Sequence, residues 1–160
     1  MKSSIVSTIA LFLSLSNLAS SQQVMTVAYD ETYDNANLDL LTTSCSDGAN
    51  GLVTKGFHVA GDLPIFPRIG AAFSVAGWNS TNCGNCYKLK FEETGVEIPV
   101  IAMDHAGSGF NLAKAAMNEL TGGRAAEIGR TDMTVTEAVP GDYNGLFFDH
   151  PKKGFIMELT

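Results

Sequence analysis

Polar and apolar positions alternate in several short stretches of this chain, and each stretch predicts a strand. Residues 24–29 (VMTVAY) alternate and carry β-branched side chains, residues 87–91 (YKLKF) alternate more cleanly, and residues 133–139 (MTVTEAV) do so again. Residues 96–103 (VEIPVIAM) form an apolar run interrupted by Glu97 and Pro99, as expected of a mostly buried strand with one turn or edge position. The period changes over residues 111–120, where Leu112, Ala115, Ala116 and Leu120 recur at helical spacing. This predicts a helix with Asn111 near its N-cap and Gly122-Gly123 just past its end. Turn signals at Asp47-Gly48 and around Pro64 and Pro67 separate the remaining segments, so the pattern predicts a small β-rich barrel carrying a few helices.

The first residues follow another logic. Lys2 precedes an apolar run over residues 5–18, followed by Ala19, Ser20 and Ser21. A basic start, an apolar stretch too short to span a bilayer and a small-residue site predict a secretory leader over residues 1–21, cleaved after Ser21. With no second long apolar stretch, the expected product is secreted and carries no membrane span. Its remaining length suits one domain. The formal charge of −7 falls to about −8 once Lys2 is removed, which argues against nucleic acid and anionic membranes as partners. Neutral or cationic partners are favoured, and solubility outside the cell is an equally good reason for the charge.

The chain has three cysteines, Cys45, Cys83 and Cys86. A zinc site built on Cys83-x-x-Cys86 needs two more ligands at comparable spacing, whereas His58, His105 and His150 are scattered. A thioredoxin-like centre requires a βαβ unit opening at the motif, and here a strand follows directly. No metal and no organic cofactor is therefore expected. In a secreted chain a structural role in pairing with a distant cysteine is the default, and an odd number leaves one over.

The runs CSDGANGLVTKGF (45–57), LPIFPRIGAAF (63–73), GWNSTNCGNCYKL (77–89), AMDHAGSGFNLAKAAMNELTGG (102–123) and AAEIGR (125–130) together resemble the cerato-platanin family of small secreted fungal proteins. The resemblance extends over residues 22–146 and implies a six-stranded double-psi β-barrel with a few short helices, related to a domain of expansins and to certain endoglucanases. It also implies a Cys45–Cys83 disulfide and a second bridge from Cys86 to a late cysteine, where this chain has Asn144. Residues 147–160 run on as an atypical C-terminal extension. Three readings follow: a variant that keeps the Cys86 thiol, a dimer bridged through Cys86 in place of the expected monomer, or a misread final exon.

Asp104 and His105 follow the apolar strand and precede the Ala106-Gly107-Ser108-Gly109 turn, so both emerge at a strand end. An aspartate there caps a turn as readily as it serves chemistry. In the related proteins an aspartate at this place faces the polysaccharide groove. Inverting hydrolysis needs a second carboxyl group some 6.5 to 9.5 Å away, with Asp47 the first candidate and Asp30, Glu31 and Asp34 weaker ones.

The resemblance implies a protein that binds chitin or N-acetylglucosamine oligomers, or cellulose, and loosens wall polysaccharide without hydrolysing it. It also implies elicitation of plant defence through a host receptor and localisation to the extracellular space or fungal wall. The matched positions expected to line the groove are Tyr29, Asp47, Lys55, Asp104, His105, Ser108 and Asn111. Short polar groups there would meet sugar hydroxyls and acetamides, and Tyr29 would stack on a pyranose ring. A weak inverting glycosidase using Asp104 and a surface-active, self-assembling protein are the alternatives. Trp78, the single tryptophan, is expected to be buried packing near a disulfide and lies outside the predicted groove. Asn79-Ser80-Thr81 is a glycosylation sequon.

Overall fold

A computed structural model describes residues 21–138. Residues 1–20 of the predicted leader (1–21), Asn144 and the predicted extension at 147–160 lie outside the described residues. Six strands close into a barrel in the order β1-β5-β2-β4-β3-β6. They are β1 (Gln22–Tyr29), β2 (Ile69–Ala72), β3 (Cys86–Phe91), β4 (Val96–His105), β5 (Phe110–Leu112) and β6 (Arg130–Glu137). Two neighbouring pairs, β1 with β5 and β2 with β4, run parallel, and the other four are antiparallel. Closure gives each strand a neighbour on both sides, although Gln22 to Thr26 of β1 pair only with β6 and Val96 to Val100 of β4 only with β3.

The strands predicted from alternation are all present; burial follows the alternation in β3 and β6, whereas in β1 Val24 is exposed and Val27 and Ala28 are both buried. In β3 Tyr87, Leu89 and Phe91 face the core while Lys88 and Lys90 are half-exposed, and in β6 Met133 and Val135 do the same between threonines. β4 runs unbroken through Pro99, which pairs with Lys88 of β3. Its centre, Val100 to Met103, is buried on both faces because α1 (Lys114–Thr121) packs against the barrel outside it. A short helix, α2 (Ala125–Ile128), follows.

The predicted helix starts too early. Asn111 and Leu112 have helical spacing from Ala115 and Ala116, yet they belong to β5, paired with Ala28 and Tyr29 on one side and with Ala71 and Gly70 on the other. Two ladders outweigh a local period. The helix begins at Lys114 and is capped from elsewhere: Asp34 accepts hydrogen bonds from the Lys114 N–H (2.9 Å) and the Ala115 N–H (2.9 Å). Its other end matches expectation, with Gly122 left-handed at φ 66°.

Candidate functional site

The ends of β4 and β5 and the loops at 30–56 and 73–85 supply the candidate residues. Asn111 and Asp104 share one register row: Ala28, Asn111, Ala71 and Asp104 pair in turn across β1, β5, β2 and β4. Two strand spacings separate Asn111 from Asp104, about 10 Å. Ser108 is exposed on the turn between β4 and β5.

Asp104 is occupied on both oxygens. Tyr33 Oη donates to Oδ2 at 3.0 Å, while the Ser44 N–H (2.8 Å) and the His105 N–H (2.8 Å) donate to Oδ1. The carboxylate thus joins the 3₁₀ turn Glu31–Asp34 and the loop at 43–45 to the end of β4. Burial, and then the Asp104 charge, push the Tyr33 phenol well above its ordinary range, so it remains a donor at any working pH. Tyr33 was not among the residues expected here; only the fold carries it to Asp104. The His105 Nδ1 meets the Val75 carbonyl, which can only accept. That nitrogen therefore carries the hydrogen.

One residue beyond Ser44 the chain is tied by the Cys45–Cys83 disulfide, which joins the loop at 43–56 to the loop at 73–85. Lys55 reinforces this tie by donating from Nζ to the Cys83 carbonyl (2.9 Å), and burial lowers its ammonium pKa. Cys86, on β3, is buried.

At the outer side of the same loop pair stands Trp78, and here the expectation of buried packing is wrong. The indole is 65 % exposed, and its Nε1 donates to Asp47 Oδ1 at 2.7 Å. That bond is the main influence holding the Asp47 carboxyl below its ordinary range. Asn79 locks the two loops beside it: Oδ1 accepts from the Asn50 N–H (2.9 Å) and its carbonyl accepts from Asn50 Nδ2 (2.9 Å). Asn79 sits in the left-handed region at φ 58°, where asparagine is among the better-tolerated side chains. Gly48 faces it, also at positive φ (86°); a Cβ there would come within 2.7 Å of Asn79 Oδ1, so the position needs glycine.

Tyr29 belongs to neither group. Its ring lies under Lys114 Nζ, 5.5 Å from the centroid, and Lys114 pairs with Glu31. Of the carboxylates considered as partners for Asp104, Asp30 caps the turn that holds Tyr33, and Asp34 caps α1. Asp47 holds Trp78 and Glu31 holds Lys114. The structure therefore gathers Asp104 and His105 at one junction and Asp47 and Lys55 at the adjoining loop pair, with Asn111 in the Asp104 row and Tyr29 apart. Among the described residues, no three His, Cys, Asp or Glu side chains gather as a metal site would require, and no helix is long and apolar enough to cross a membrane.

Comparison with known proteins places this barrel. The cerato-platanin family model matches residues 25–145. The chain is 48 % identical over 142 residues to "Allergen Asp f 15 homolog" of Arthroderma benhamiae, spanning 89 % of this chain and 69 % of that one. It is 44 % identical to "Heat-stable 19 kDa antigen" of Coccidioides posadasii, over 86 % of this chain and 94 % of that one. Among solved structures, cerato-platanin 2 from M. perniciosa superposes with a TM-score of 0.70 at 44 % identity, covering 73 % of this chain and 95 % of that one. A family model spanning most of the chain, close relatives and a shared six-stranded barrel agree, and the chain belongs to the cerato-platanin family.

Proposed function

We propose that this chain is an extracellular, non-hydrolytic binder of β-linked N-acetylglucosamine polysaccharide. The observation that carries the reading is Trp78: a single exposed indole whose N–H is pinned by Asp47 on two loops joined by a disulfide. An exposed aromatic face held in one orientation loses little conformational freedom when a pyranose ring stacks on it. Oδ2 of Asp47 and the Asn79 amide would then meet hydroxyl and acetamide groups at the ring edge.

The commitment of Asp104 to three donors supports binding over hydrolysis. A general acid must carry a proton to the leaving oxygen, whereas this carboxylate is held as an acceptor inside the rim. Loosening of wall polysaccharide, as in expansins, would follow from such binding when it competes with chain-to-chain contacts. A secretory leader at residues 1–21 would deliver the protein to the wall. A solved structure described as "the fungal elicitor Cerato-Platanin" is 31 % identical with a TM-score of 0.64, and elicitation of plant defence is the further role this reading would give the chain.

An amide NMR titration of the mature chain with N-acetylglucosamine oligomers tests the proposal, with sugar reducing ends measured in the same tube. Shifts centred on Asp47, Trp78 and Asn79, spreading to Asp104 and Asn111, without new reducing ends are expected. New reducing ends would make the protein a hydrolase, and unmoved amides would remove oligosaccharide binding altogether.

A further inference from the structure

The Trp78 face lies beside a residue that can itself bear sugar. Asn79 opens the sequon Asn79-Ser80-Thr81, and its side-chain orientation is fixed, because the Asn50 N–H can bond only to the amide oxygen. The oxygen is therefore spent on the clamp, while Nδ2 makes no hydrogen bond among the described residues. Nδ2 is the atom that a glycan modifies, and a glycosylated asparagine keeps its carbonyl oxygen as an acceptor. Clamp and glycan are thus compatible on one side chain. The first two sugars of an N-linked glycan are β1,4-linked N-acetylglucosamine units, the same disaccharide repeat as chitin.

We propose that Asn79 carries an N-linked glycan whose first two sugars lie against Trp78, so that the modified protein occupies its own saccharide platform. The proposal rests on the reading of Trp78 as that platform. The donor is a lipid pyrophosphate-linked oligosaccharide of the secretory pathway. Nδ2 forms a bond to C1 of the first sugar as the C1–O bond to phosphate breaks; the amide loses one proton to a base, and the lipid pyrophosphate departs. Tethered one residue from the indole, the disaccharide acts at an effective concentration in the millimolar range, enough to displace weakly held free oligomers. Glycosylated molecules are then blocked for chitin, and unglycosylated ones are open.

Thr81→Ala removes the sequon while leaving Asn79, Ser80 and Trp78 in place, and the exposed Thr81 makes no side-chain bond among the described residues. Wild-type chain and T81A, both secreted from a eukaryotic host, are compared by intact mass and by titration with the N-acetylglucosamine tetramer. Emission from Trp78 is the readout, because it is the only tryptophan in the sequence. We expect a glycan mass on the wild type alone, a wild-type emission already shifted without ligand, and tetramer binding about tenfold weaker than for T81A. A wild type of bare-chain mass overturns the inference, as does a glycosylated wild type that binds as well as T81A. Weaker binding with an unshifted resting emission also overturns it, since the glycan then only shields the face. A T81A protein that does not respond to the tetramer at all defeats the binding reading itself.

Discussion

Asp104 accepts from the Ser44 N–H, and Asp47 follows Ser44 by three residues in the same loop, yet the two aspartates are used in opposite ways. Asp104 turns its oxygens toward Tyr33, Ser44 and the His105 N–H, all groups of the protein itself. Asp47 is exposed and spends one strong bond on orienting an indole that faces solvent. The aspartate that attracts attention in the sequence ties β4 to two loops, and the one that looks like an ordinary turn residue aims an exposed indole. A carboxylate's role is set by the donors around it more than by its place in a motif.

The comparison can be broken in four ways. The largest effect is expected from replacing Cys45 and Cys83 together with serine, which removes the tie beneath both aspartates. Stability should fall by about 2–5 kcal/mol in chemical denaturation, with saccharide binding weakened as well. Retained binding at full strength would show that Trp78 does not need the loop pair. Next is Asp104→Ala, which leaves the Tyr33 hydroxyl and the Ser44 N–H without their acceptor. A loss of about 2–3 kcal/mol is expected, with Asp104→Asn recovering part of it. A thermally unchanged protein would return Asp104 to the list of groups free for chemistry.

Trp78→Ala reverses the signature: stability within about 0.5 kcal/mol of wild type, and oligosaccharide affinity about tenfold lower, or ~1.4 kcal/mol. Equal affinity would move the recognition surface elsewhere. The smallest effect concerns pH. A carboxyl whose folded pKa lies below its unfolded value, about 3.9, contributes stability above that value and loses it as pH falls through the folded pKa. Asp47 is such a group, so Trp78 emission should hold steady from neutral pH to about pH 4 and change only below it. A transition near pH 6 would implicate another group.

Much of the barrel was legible beforehand. β1, β3, β4 and β6 have enough residues to show a period or an apolar run, and burial enforces the alternation in β3 and β6. β2 (IGAA) and β5 (FNL) do not: three or four residues carry no period, and the two become strands by pairing with each other between the longer β4 and β1. The helix start was misplaced for the same reason, since its cap, Asp34, comes from 80 residues earlier. In the candidate site the sequence points to Asp104 and His105, which end β4, to Asn111, which shares the Asp104 register row, and to Asp47 and Lys55, which lie on the disulfide-linked loop. Tyr33 carried no signal of its own. Trp78 carried a misleading one, because a lone tryptophan near a cysteine is ordinarily packing.

The sequence by itself determined what depends on neighbours along the chain: the predicted leader, the longer strands, the body of α1, its glycine stop and the family motifs. The tertiary structure decided what depends on partners brought from afar: which aspartate is consumed by Tyr33 and Ser44, which one holds Trp78, and which atom of Asn79 is left over. Periodicity records the side of an element that must leave water. A hydrogen bond between residues 31 or 71 positions apart depends on distance and angle, and those exist only once the barrel has closed.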